Sequence, residues 1–316
     1  MITMKQLGRM GRWGNQIFQY AFLRTYAKKL GLSYQCPQWE GQRIFGFDDP
    51  PLNGASLPQL SERWNIDHSS RSNYQDAWYP SIPPTGRDAI NKDYCGYCQF
   101  HTSYYAPFKQ FLQNTFTIAP EVERRVLPIL EKLRYRGKTL VGLHLRRGDT
   151  GRAIFYLTPN QWYLKWLEEN WDRLDNPALF IASEDPKDIE DFRRYRPSCT
   201  SDFINLKAER YTSYNYLRCD LDNPLPASMD WFPDWYVLNH CDVLLFGEST
   251  FSFTAALLNP SLQEAWRSRL SLQSFEKINP WNTEPLAREH LDDHPNIPGT
   301  AYKDNPKWVG GEVPPE

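Results

Sequence analysis

Four short stretches hold the residues whose types and spacing could do chemistry. The first is Leu143-His144-Leu145-Arg146-Arg147-Gly148-Asp149, at the end of an apolar run that starts near Thr139. Side chains alternate along a strand, so Val141, Leu143 and Leu145 share one face, and Gly142, His144 and Arg146 share the other. Two arginines at the end of a buried strand need anions to meet them. A guanidinium matches phosphate oxygens with a planar two-pronged fork. Arg146 therefore reads as a ligand for phosphate. Arg147, on the opposite face, reads rather as a member of a structural network with Asp149 or other carboxylates.

The second stretch is Cys241-Asp242-Val243-Leu244-Leu245-Phe246-Gly247-Glu248-Ser249-Thr250-Phe251-Ser252-Phe253, a strand that runs through a turn into a helix. Ser249 or Thr250 suits the N-cap. The amides and dipole of the first turn form an anion site, which together with Arg146 could hold a diphosphate without metal. Capping alone explains the same residues. The third stretch, Phe180-Ile181-Ala182-Ser183-Glu184-Asp185-Pro186, ends another strand in two carboxylates. Asp185 caps a helix that opens at Pro186, or it accepts the paired N–H donors of a guanine base; both readings stand. The fourth, Gly11-Arg12-Trp13-Gly14-Asn15-Gln16, fits neither the dinucleotide fingerprint nor the P-loop. It still sets Gly14 and Asn15 at a helix start.

Strand and helix signals around these stretches alternate. Residues 2–7 read as a strand and about 15–30 as a helix, with Tyr20, Leu23, Ala27 and Leu30 on one stripe and Gly31 as its C-terminal cap. Residues 36–105 are rich in Pro, Asn, Asp and aromatics and read as long loops with short elements. Residues 120–135 read as a helix kinked at Pro128. Strands follow at 139–146, 178–183 and 241–246, and helices at about 159–171, 186–195, 233–240 and 250–258. This rhythm predicts an α/β protein with a parallel, doubly wound sheet. A helix is expected near 261–270, then a Pro-rich tail that wraps or is disordered. The regions are 1–135, 136–260 and 261–316.

Composition excludes several classes. The 316 residues, 41% of them apolar, suffice for a sizeable core. A formal charge of −2, from 36 basic and 38 acidic residues, carries no broad lure for nucleic acid or anionic lipid. No run approaches the ~20 apolar residues of a membrane span, and the N-terminus has no apolar signal core, so a cytoplasmic protein is expected. Six cysteines are scattered at Cys36, Cys95, Cys98, Cys199, Cys219 and Cys241. The lone Cys95-x-x-Cys98 has no second pair, which favours free thiols over a zinc site. Twelve Trp and 18 Tyr suit sugar faces, though core packing is their commoner role.

In their order along the chain the four stretches resemble the family 11 fucosyltransferases. GRWGNQIFQYAF is similar to that family's Gly-Gly-Leu-Gly-Asn-Gln opening. HLRRGD resembles its nucleotide-binding motif, ASEDP its strand-end Ser-Asp-Asp, and GESTFSFTAALLNP its Asn-Ser-Thr-Phe-Ser segment. The resemblance spans about residues 5–30 and 139–260. It implies a GT-B-like fold, with two Rossmann-like domains facing a cleft, and 1–135 as the acceptor side. It implies an inverting transfer of fucose from GDP-fucose to a glycan hydroxyl without a metal or other cofactor, with a galactoside α-1,2 linkage. Arg146 would bind the diphosphate and His144 would line the nucleotide site. Ser249, Thr250, Phe251 and Ser252 would hold phosphate. Ser183 and Asp185 would sit at base or ribose, and Asn15 and Gln16 would border the reaction centre.

There are departures. Arg12 and Trp13 replace a Gly and a Leu, Phe253 and Thr254 replace two Trp, and Glu248 replaces an Asn. Glu248 either points away from the anion site or serves the acceptor hydroxyl. As a general base Asp149 is the first candidate and Glu248 the second. Acceptor loops are expected within 36–105 and 200–232; Tyr211, Tyr214, Tyr216, Trp231 and Trp235 border that cleft or merely pack. Another nucleotide-sugar donor, or a non-catalytic glycan-binding module, are the rival readings. A kinase reading of HLRRGD lacks the Gly-rich loop, the strand Lys and the Asp-Phe-Gly that it needs.

Overall fold

The computed structural model describes residues 1–54, 56–64, 80–148, 150–151, 154–184, 186–203, 231–294 and 296–301. They gather into two compact units. The first contains Met1–Arg124 and Asn279–Pro285; the second contains residues 125–203, 231–278 and 286–301 of those described. The division thus falls at 124 rather than 135. The stretch 261–316 is no unit of its own, because its chain is shared between the two.

The first unit holds β1 (Ile2–Thr3), α1 (Trp13–Leu30), β2 (Tyr34–Gln35), α2 (Glu40–Phe45), β3 (Gln59–Ser61), β4 (Arg63–Trp64), β5 (Ser81–Ile82), β6 (Lys92–Cys95) and α3 (Lys109–Thr115). Four strands form a parallel sheet in the order β2-β1-β6-β3. β1 is shorter than the run 2–7 suggested, because the chain leaves the sheet after Thr3. The Asp93 carboxylate on β6 accepts both the Thr3 hydroxyl (2.8 Å) and the Lys5 amide (2.9 Å) at that exit. α1 is buried on nearly every side, with Phe18, Tyr20, Phe22 and Leu23 fully covered. Gly31 ends it in the left-handed conformation, with φ 62°. Trp13 is also buried: its ring stacks on Trp39 and Phe45, at 6.1 and 5.6 Å between centroids. The departure at that position is therefore core packing.

α4 (Pro120–Arg136) carries Pro128 inside it and spans the division between units. The second unit then holds β7 (Thr139–Leu145), α5 (Asn160–Asn170), β8 (Pro177–Ser183), α6 (Trp231–Leu238), β9 (Val243–Phe246), α7 (Thr250–Leu258), β10 (Glu264–Arg269) and β11 (Ser274–Ile278). Its five strands lie in the order β8-β7-β9-β10-β11. β8, β7, β9 and β10 run parallel, and β11 closes the edge antiparallel. Both faces of β7 are covered, as central parallel strands require. Val141, Leu143 and Leu145 join one core with Tyr163, Trp166, Ile181 and Leu245. On the other face Gly142 lies so close to Cys241 that a Cβ would come within 2.6 Å of its sulfur.

Two expected elements differ. Residues 186–195 form a 3₁₀ segment rather than an α-helix. The helix near 261–270 is strand β10. Ala265 and Arg267 are buried there while Trp266 is half-buried, and the backbone pairs with β9. An open sheet edge needing partners overrides a helical pattern of one or two turns. Of the expected tail, residues 286–301 pack on the second unit, where the Leu157 amide donates to the Thr300 carbonyl at 2.9 Å. Residues 302–316 lie outside those described.

Candidate nucleotide-binding site

The strand order of the second unit reverses between β7 and β9. The chain runs from β7 out to β8, then crosses back to lay β9 on the other side of β7. At such a switch point the loops after two neighbouring strands turn apart and leave a crevice at the carboxyl ends, where open α/β sheets bind ligands. The two motifs with the clearest anion chemistry end there. His144 is the next-to-last residue of β7, with Arg146 just past the strand, and Gly247-Glu248-Ser249 links β9 to α7.

Arg146 is turned toward the helix start. Its Nη1 donates to the Glu248 main-chain oxygen at 2.6 Å, and its guanidinium lies 4.9 Å from the centre of the Phe155 ring. Ser249 is the N-cap of α7, extended at φ −151°, ψ 122°, and its hydroxyl makes no capping bond. Thr250, Phe251 and Ser252 form the first turn of α7, whose amides lack partners inside the helix and which carries the positive end of its dipole. His144 Nδ1 and Ser252 Oγ lie 2.9 Å apart, and the imidazole packs against Phe251 with centroids at 5.3 Å. The Tyr163 hydroxyl fixes the same strand end from below by donating to the His144 carbonyl at 2.8 Å. His144, Arg146, Ser249, Thr250, Phe251 and Ser252 are thus brought together.

The other residues stand differently. Arg147 is buried, as a network member would be: its Nε meets Asp188 at 2.9 Å, and its other nitrogens donate to the Thr158 carbonyl and to Asn160. Ser183 belongs to this network, with its hydroxyl 3.1 Å from Asp188, and not to the crevice. Glu248 takes the first of its two options. Its carboxyl is buried, and Oε2 accepts the Ala287 and Arg288 amides at 2.8 and 3.4 Å. Burial pushes this carboxyl above its ordinary range against the pull of Arg267 and those amides. Facing inward, it is not placed to take a proton from an acceptor, and its assignment as a base is corrected. Asp149 and Asp185, like Tyr211, Tyr214, Tyr216 and Cys219, lie outside the described residues. Trp235 is buried and donates to Thr254 at 3.3 Å, and Phe253 is fully covered, so these are packing residues. Trp231 sets its edge against Phe251.

Asn15 and Gln16 belong to the first unit. Gln99 donates to Asn15 Oδ1 at 2.7 Å, joining the first turn of α1, reached after β1, to the loop that follows β6. β1 and β6 are the neighbours where that sheet also reverses its order. Gln16 is 4% exposed and donates to the Gly11 carbonyl at 3.3 Å, so it braces the glycine loop from inside rather than offering itself to a ligand. Among the described residues no group of three or more His, Cys, Asp or Glu could hold a metal ion, and no helix is long and apolar enough to cross a membrane. Cys36, Cys95, Cys98, Cys199 and Cys241 are free thiols.

Three participants were missed. Phe155, the Glu248 peptide oxygen and Tyr163 all steady the site. No spacing marks Phe155, and a peptide oxygen leaves no sequence signal. Tyr163 could have been found, as an apolar-face residue of α5 that carries a hydroxyl in need of a partner.

Galactoside α-(1,2)-fucosyltransferase 2 of Oryctolagus cuniculus is 25% identical over 158 residues, covering 48% of this chain and 42% of that protein. The chain resembles the fucosyltransferases. It spans less than half the length of that relative. Among solved structures, Arabidopsis thaliana FUT1, a mutant in complex with GDP, is 13% identical, covers 95% of this chain and 80% of its own, and has a TM-score of 0.54. That likeness establishes a shared fold. The NodZ α-1,6-fucosyltransferase soaked with GDP-fucose, an enzyme also solved from Bradyrhizobium, is likewise 13% identical, over 88% of this chain and 97% of its own, with a TM-score of 0.49. No protein-family model matches the chain.

Proposed function

We propose that this fucosyltransferase-like chain is an inverting, metal-independent, GT-B-like glycosyltransferase that moves fucose from GDP-fucose to a glycan hydroxyl. A galactoside α-1,2 linkage is the finer reading. One observation carries it: Arg146 and the first turn of α7 meet at the switch point between β7 and β9, behind motifs in the family 11 order. The name of the Oryctolagus cuniculus relative supports the linkage.

In this reading the bond between the fucose anomeric carbon and the β-phosphate oxygen breaks as an acceptor oxygen bonds to the opposite face. GDP leaves with the electron pair. The charge that grows on it is held by the Arg146 guanidinium and the Ser249–Ser252 amides, so these two supply the electrostatics that a metal would otherwise provide. One preorganised donor of this kind is worth about 3 kcal/mol of barrier. His144, steadied by Ser252 and Phe251, lines the nucleotide. The acceptor proton passes to a base or to solvent, and Asp149 remains the candidate base.

The diphosphate geometry would serve any nucleoside-diphosphate sugar, so the donor is tested first. A thermal-shift screen should raise the melting temperature with GDP and not with ADP or UDP. GDP release from GDP-fucose with a galactoside acceptor should follow. A shift with UDP alone removes the fucose donor, and sugar binding with no nucleotide effect removes the enzyme.

A further inference from the structure

Glu248 carries two contacts that no capping or catalytic role requires. Its side chain is 2% exposed although it sits one residue before the N-cap of α7. The carboxyl reaches inward to the Ala287 and Arg288 amides, in the chain that follows β11. Its main-chain oxygen faces the other way and receives Arg146 Nη1. The peptide between these contacts has little freedom. Gly247 sits against the Thr158 hydroxyl with no room for a Cβ, and that hydroxyl is held by Ser268 at 2.9 Å. On the other side the Ser249 carbonyl is already committed to the Phe253 amide at 3.0 Å. A buried carboxyl is costly. A neutral side chain would avoid that cost, and the position has a carboxyl where the resembling family has an amide.

We propose that Glu248 is a positioning residue for nucleotide binding: its side chain, pinned by the 287–288 amides, holds its own carbonyl against Arg146 and so sets the aim of the guanidinium. This rests on the reading of the β7–β9 crevice as a nucleotide-diphosphate site. The 287–288 segment is thereby coupled to nucleotide binding through one residue. By reciprocity, the nucleotide must then tighten that segment.

GDP is the probe, titrated into the full-length chain by calorimetry. Glu248→Ala should weaken GDP roughly tenfold, a typical coupling between linked sites. Glu248→Gln keeps a carbonyl oxygen for the same two amides and should recover most of the affinity. In an Arg146→Ala background, Glu248→Ala should add almost nothing, because its effect passes through that guanidinium. A structural role alone predicts equal losses in both backgrounds, and that additivity would overturn the proposal, as would wild-type affinity in Glu248→Ala. Hydrogen exchange on the unaltered chain needs no variant to fold: GDP should slow exchange at the Ala287 and Arg288 amides, and unchanged exchange there sinks the coupling. Failure of the unaltered chain to bind GDP is a different result, which removes the nucleotide reading itself.

Discussion

His144 and Ser252 touch at 2.9 Å across 108 residues of chain, tying the end of β7 to the first turn of α7. The contact, with the Phe251 ring beside it, fixes the imidazole. Ser252→Ala removes the hydroxyl and lets the ring turn. Stability should fall by about 1 kcal/mol, the net worth of one buried hydrogen bond, while GDP affinity falls severalfold. Calorimetric titration beside thermal denaturation separates the two, and unchanged affinity would show that the ring does not meet the nucleotide.

Adjacent arginines should fail in opposite ways. Arg146 faces the crevice, so Arg146→Ala should cut transfer by orders of magnitude with a nearly normal melting temperature. Arg147 is paired with Asp188 at 2.9 Å, with the two side chains 8% and 20% exposed. Arg147→Ala leaves a half-buried carboxylate with only the Ser183 hydroxyl and opens the buried space of the guanidinium, and should cost about 3 kcal/mol of stability. Initial rates and denaturant melts of both variants test the contrast, which a shared role would erase.

Gly11 and Gly31 both have left-handed backbones, at φ 77° and 62°, but only Gly11 is crowded. A Cβ on Gly11 would lie 2.7 Å from that of Asn15, whereas nothing lies within 4 Å of one on Gly31. Gly31→Ala should cost about 1 kcal/mol, the backbone penalty alone. Gly11→Ala should cost more and should also loosen the Asn15–Gln99 bond, seen as faster amide exchange in the glycine loop. Equal costs would mean that the loop yields freely.

Glu264 gives the fold an acid limit. Burial raises its pKa, but Arg173, Trp266 and Lys277 outweigh this and hold it at about 2, below its ordinary 4.5. A depressed carboxyl stabilises the fold above its unfolded pKa and loses that contribution as pH falls through the folded one. Glu264→Gln should therefore be less stable than the unaltered chain at pH 7, with the gap closing between pH 4.5 and about 2. Urea melts across that range measure it, and a gap that does not change with pH contradicts the ion-pair account.

What the sequence made legible were short apolar runs ending in distinctive polar residues. Val141, Leu143 and Leu145 alternate as one face of a strand, which puts His144 and Arg146 together on the other. Gly31 likewise announced the end of α1. Less was legible where two periodicities fit equally. Ala265-Trp266-Arg267-Ser268 reads as helix, yet it fits a strand's alternation as well, and the open edge of β9 makes it one. The direction of a side chain at a turn was beyond reach too. Glu248 stands beside an anion site in sequence, yet it turns inward because two amides from the chain after β11 wait there. Such partners come from distant chain and leave no local pattern.

The crossing-back of the chain between β8 and β9 has a consequence for synthesis. A ribosome makes the guanidinium of Arg146 early, yet the helix start that faces it follows about a hundred residues later, and the amides that brace Glu248 later still. A nascent chain halted before residue 287 would hold all five strands of the second sheet but not the two amides that Glu248 accepts. If the crevice holds a nucleotide as proposed, removing residues 287 and 288 should weaken that binding while the strands of the sheet remain.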